Sequence, residues 1–97
     1  MAQTITGTLT GSTDESQEFP ACKRFTIYLG TSGNTGFGGG TVSFLGKADA
    51  NSGFTVDDTS YTSSAIIVSK EYTGGIVSKL SLTGGTAASI PFTFVYE

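Results

Sequence analysis

The chain has no histidine, no tryptophan, one cysteine and two prolines, and only 13% of its 97 residues are charged. Each shortage excludes something. Without histidine the commonest general base and metal ligand are missing, and the lone thiol of Cys22 can neither form a disulfide within the chain nor build a structural zinc site. No apolar run reaches about 18 residues, the length that marks a membrane-spanning helix. MAQTITGTLTG has neither the basic start nor the apolar centre of a secretion signal, so the expectation is a product made and folded in a cytoplasm. Eight acids against five bases give a formal charge of −3. The bases, Lys23, Arg24, Lys47, Lys70 and Lys79, are scattered and leave no footprint for nucleic acid. Neither nucleic acid nor membrane is therefore an expected partner.

What the chain does have is glycine, 14 residues of it, with 11% aromatics and a background of threonine and serine. That mixture favours strands and turns over helices. The length fits one domain over residues 1–97, with a modest core of two packed layers.

Period-two alternation recurs along the chain. QTITGTLTG sets Ile5, Gly7 and Leu9 against threonines and reads as an edge-like strand. CKRFTIYL places Phe25, Ile27 and Leu29 on one face, with Arg24, Thr26 and Tyr28 on the other. TVSFLG turns Val42 and Phe44 inward, and with FTVDD it predicts a hairpin over 41–57. YTSSAIIVSKEY is rich in β-branched residues and reads as a strand. A paired-glycine turn, TGG, is expected to separate it from IVSKLSL, and TGGT turns the chain again into SIPFTFVYE. There Ile90, Phe92, Phe94 and Tyr96 share a face. Pro91 cannot donate to a ladder, so this strand should lie at an edge or begin pairing only after the proline. The expected fold is all-β: an antiparallel two-sheet β-sandwich, immunoglobulin-like or jelly-roll, of seven to eight short strands.

Several stretches invite a chemical reading. GNTGFGGGTVSFLG looks at first like a phosphate-gripping loop, but such a loop leads into a helix and carries a lysine at a fixed offset, whereas GFGGG leads into a strand. Phe37 within it either meets a partner or tucks into the core. DANSGFTVDD offers Asp49, Asn51, Asp57 and Asp58 as oxygen ligands, yet Phe54 and Ser60 stand where a calcium loop needs glycine and glutamate, and an Asx-rich turn is expected instead. Asp14, Glu15, Glu18, Asp57, Asp58 and Glu71 could pair as hydrolytic carboxylates, but a chain this small leaves little room for a substrate cleft. No catalytic residue, cofactor or metal site is expected, and the chain is not expected to be an enzyme.

The arrangement GGTVSFLGKADANSGFTVDD, followed by YTSSAIIVSKEY and a closing aromatic strand, resembles the small β-sandwich domains of tailed-bacteriophage virion proteins. The similar elements are Gly40 to Leu45, Asp49 to Gly53, Phe54 to Val56, and Glu71 with Tyr72, a little over half of the chain. Phe54 departs from the pattern, since such domains commonly carry tryptophan there. The resemblance implies a non-enzymatic particle component found in the virion: a capsid decoration or cement protein, a head-fibre or knob subunit, or a small tail module. Its partners would be copies of itself, as in a trimer, and other virion proteins such as the major capsid protein. Residues 37, 91, 92, 94 and 96 (Phe37, Pro91, Phe92, Phe94 and Tyr96) are the expected partner contacts. The alternative is a carbohydrate-binding module that stacks sugars on Tyr28, Tyr61 or Tyr72 beside loop carboxylates, with a glycan as ligand.

Overall fold

The computed structural model describes residues 2–30, 37–47, 53–56, 60–63, 65–86 and 88–97. Among them there is no helix. Seven strand segments occur in order: β1 (Gln3–Gly11), β2 (Asp14–Glu15), β3 (Phe19–Leu29), β4 (Thr41–Lys47), β5 (Thr55–Val56), β6 (Ala65–Thr83) and β7 (Ala88–Tyr96). Every pairing among the described residues is antiparallel.

The strands differ from the expected sandwich in one respect: all of them belong to a single sheet, ordered β1-β7-β3-β6-β4-β5, with β2 also on β6. The reason is the length of β6, whose 19 residues pair with β3 and β2 along one edge and with β4 along the other. A strand that long carries the ladder continuously from one half of the molecule to the other. The sheet then curls on itself. Phe19 is paired to β6, yet its ring stacks on Phe94 of β7 at 4.1 Å and meets Phe92 edge-on at 5.7 Å.

The expected TGG turn is also different. Between Glu71, opposite Arg24, and Ile76, opposite Cys22, residues 72–75 of β6 face only Lys23. Gly74 and Gly75 have φ of 85° and 90°. The glycines make a wide bulge, and the chain continues in its original direction instead of reversing. TGGT does reverse the chain, and Gly84 there has φ of 73°.

The inward faces obey the alternation. Leu9, Phe25, Ile27, Leu29, Val42, Phe44, Leu80, Leu82, Ile90, Phe92 and Phe94 are buried in one core. Gly7 stands opposite Phe92, and a Cβ at Gly7 would lie 2.6 Å from that ring, so the missing side chain is what lets the ring cover β1.

Ser78 is the exception in this core. It is fully buried between Phe19 and Gly46, and its hydroxyl has no hydrogen-bond partner. A buried hydroxyl left unpaired costs about 1–3 kcal/mol. Ser78→Ala is accordingly expected to raise stability by about 1 kcal/mol, or about 4–8 °C in Tm for a chain of this size. A thermal melt that moves downward would mean the hydroxyl is satisfied after all.

Candidate interaction edge

Four of the described carboxylates, those of Asp14, Glu15, Glu18 and Glu71, have partners nearby. Asp14 closes the turn after β1: one oxygen accepts from the Thr10 amide and the other from the Glu15 amide, both at 2.9 Å. These backbone donors favour the ionised form and hold its pKa below the usual aspartate value. A depressed folded pKa contributes stability that is present above the unfolded value of about 3.9 and is lost as pH falls through the folded one. The Tm difference between wild type and Asp14→Ala is therefore expected to be largest near neutral pH and to shrink below about pH 4. A difference that stays constant down to pH 2 would remove the carboxylate from the account.

Glu15 and Glu18 meet Lys79 and Lys47 at 3.0 and 3.4 Å. Both ammonium groups also lie over the Phe54 ring, at 4.4 and 4.7 Å from its centroid. Phe54 thus caps two paired lysines on the outer face of β4 and β6. Glu71 faces Arg24 across the ladder at 3.7 Å, with both side chains well exposed, a pair worth little in water. Cys22 is buried, and desolvation pushes its thiol above the ordinary value, opposite to what a nucleophile needs. Among the described residues no three histidine, cysteine, aspartate or glutamate side chains gather as metal ligands. Asp49, Asn51, Asp57 and Asp58 lie outside the described residues.

The structure places the expected partner contacts mostly inside. Phe37, Phe92 and Phe94 are buried, so their rings are not available at the surface; Pro91 and Tyr96 are half-buried. The glycine-rich stretch turns tightly at Gly38 and Gly39, the Gly40 amide donates to the Phe37 carbonyl, and the chain enters β4 with Phe37 buried in the core. Tyr61 and Tyr72 are also half-buried against the core, which leaves Tyr28, 44% exposed on the outer face of β3, as the exposed large apolar side chain among the described residues.

Comparison with protein-family models, curated proteins and solved structures finds no match.

The two ends of the sheet are unlike. At one end β5 is only two residues long, and residue 61 bridges to Val42 of β4 through two backbone hydrogen bonds of 2.8 Å. At the other, β1 pairs for all nine residues with β7 and with no other strand among the described residues. In an antiparallel ladder, successive residues alternate between bonding the neighbour and pointing their backbone groups away. Two observations fix that phase for β1. The Gly30 amide donates to the Pro91 carbonyl at 2.8 Å, so Pro91 points its backbone towards β3 and its opposite number, Thr8, points away from β7. The Thr10 amide likewise leaves β7, for Asp14. The unbroken register then directs the amides and carbonyls of Thr4, Thr6 and Thr8 outward from the sheet.

The same phase explains Pro91. Pairing of β7 with β3 runs from Phe92 to Tyr96, so the missing N–H falls just past the end of that ladder, while pairing with β1 does not use it. The proline sits inside the sheet at the position where it costs least.

Proposed function

We propose that this chain is a non-enzymatic structural subunit of a bacteriophage virion, a capsid decoration or cement protein or a head-associated subunit. It works through contacts with copies of itself and with other virion proteins such as the major capsid protein. The observation that carries the reading is the edge of β1. Natural sheets protect an open edge with lysine, proline, a bulge or a very short strand. QTITGTLTG is nine residues of uncharged, proline-free, unbulged strand; Asp14 covers its edge at Thr10, and the outward amides and carbonyls of Thr4, Thr6 and Thr8 leave the rest open to pairing. The all-β antiparallel sheet curls until Phe19 stacks on Phe94 across its interior, and that small all-β architecture suits the virion domains the sequence resembles.

The test is the mass of the purified chain by light scattering across concentration, then electron microscopy with phage particles. A discrete oligomer that docks on a particle supports the reading. A monomer at high concentration that never joins a particle ends it.

A second reading, a carbohydrate-binding module used in host-surface adhesion, is favoured by exposed Tyr28 beside Thr26 and Thr93 on the outer face. A glycan array run with and without calcium decides it: a hit that disappears in Tyr28→Ala supports glycan binding, and an empty array counts against it.

A further inference from the structure

The β1 edge matches itself. Outward from Gly7 in both directions, Thr4-Ile5-Thr6-Gly7-Thr8-Leu9-Thr10 repeats the same chemistry: threonine, then a branched apolar residue, then threonine. We propose that the partner for this edge is the β1 strand of a second copy of the chain, paired antiparallel about a two-fold axis through Gly7. The proposal rests on the reading of the chain as an assembly subunit and names its self-contact.

Three observations support this register. A two-fold axis through Gly7 sets Thr6 opposite Thr8 of the second copy, Thr4 opposite Thr10, and Ile5 opposite Leu9. Threonines therefore meet threonines on the outer face, and branched apolar residues meet on the inner one, where Ile5 is only half-buried in the single chain. The hydrogen-bonding phase agrees as well. The residues brought together as bonding pairs are Thr4, Thr6, Thr8 and Thr10, whose backbone groups face outward, while Gly7 falls at a non-bonded position on the axis. With the Thr10 amide held by Asp14, about six backbone hydrogen bonds remain for the contact. A shift by one residue would oppose outward-facing groups to inward-facing ones and lose them.

The third observation concerns charge. The chain carries a net charge of −3, which opposes random association of copies, but β1 itself carries none. No like-charge pair is therefore formed between the two β1 strands themselves. Because the same patch meets itself, the contact is isologous and closes at two copies, whereas a trimer would need two different patches.

Two double variants test the register, since Thr6 and Thr8 are exposed in the single chain and their opposite residues on β7 are uncharged. In Thr6→Lys with Thr8→Lys, lysine faces lysine twice across the axis. In Thr6→Lys with Thr8→Glu, lysine faces glutamate twice. Sedimentation equilibrium on wild type should give a dimer. The dissociation constant should rise about tenfold or more in the Lys/Lys protein and return towards wild type in the Lys/Glu protein. Circular dichroism melts check that all three proteins fold.

A wild-type monomer, a trimer, or two variants that associate equally would overturn the pairing. The same samples mixed with particles separate it from the functional reading. A monomer that decorates particles overturns the pairing and leaves the virion role standing. A dimer with the predicted charge response that binds no particle supports the pairing and removes the virion role.

Discussion

Phe94→Ala is expected to remove about 4–5 kcal/mol of stability, a large share of what a domain of this size holds. Phe94 is fully buried, stacks on Phe19 at 4.1 Å and on Phe25 at 5.1 Å, and touches Tyr96 at 5.5 Å. It is the ring at which β7 meets both halves of β3, one by strand pairing and one across the interior. Truncating a buried phenylalanine costs about 3–5 kcal/mol, against a total stability of about 5–15 kcal/mol for a domain. Because two stacked partners would lose their packing at once, the cost should fall in the upper half of that range. Urea denaturation monitored by tyrosine fluorescence measures it. Tyr96→Ala, at a half-buried position of the same stripe, is the comparison and should cost clearly less. Equal losses would mean that burial does not set the ranking along β7.

The double substitution Gly74→Ala with Gly75→Ala is expected to have an effect of comparable size, a loss of about 2–6 kcal/mol. Each residue sits in the left-handed region, where a non-glycine side chain costs about 1–3 kcal/mol. Space is not the issue: a Cβ at Gly74 meets nothing within 4 Å, and one at Gly75 comes no closer than 3.6 Å to the Cys22 backbone. The penalty is carried by φ alone. Gly7→Ala reverses the situation, since its Cβ would press on the Phe92 ring and no positive φ is involved. Both proteins should melt early, but only the bulge variant should alter the pairing of Cys22 with Ile76, which amide exchange reads directly. Unchanged exchange at these residues would show that the bulge tolerates side chains.

Much of this architecture was legible because strands with one buried face must alternate. The stripes Phe25-Ile27-Leu29, Val42-Phe44 and Ile90-Phe92-Phe94 are buried as their spacing requires. The weak apolar content of QTITGTLTG likewise marked a strand at the sheet boundary. Gly74-Gly75 was legible only in part: a positive φ serves a reversing turn and a bulge equally well, and the choice between them is made by pairing with β3, which local sequence does not encode. The number of sheets was hidden for the same reason, since hydrogen bonds on both edges of β6 leave no trace in a period of two. Phe37 could not be placed from its neighbours, because glycines impose no direction on the ring between them. The interaction edge was the least legible feature. Its polarity depends on which way the Thr10 and Pro91 backbone groups point, and that comes from register, not from side chains.

The pairing of Gln3 with Tyr96 has a kinetic side. Among the described residues, β1 has its only strand partner nearly a full chain length away. The entropy of closing so long a loop must be met before any of that ladder forms, and folds dominated by such remote contacts assemble in milliseconds to seconds where helical bundles take microseconds. β1 is therefore the natural last arrival. Until it docks, β7 presents its own aromatic strand unpaired on that side, and a neighbouring molecule's QTITGTLTG segment is an equally good match for it. Crowded refolding would then favour strand exchange between copies, and dilute refolding would favour the closed single chain.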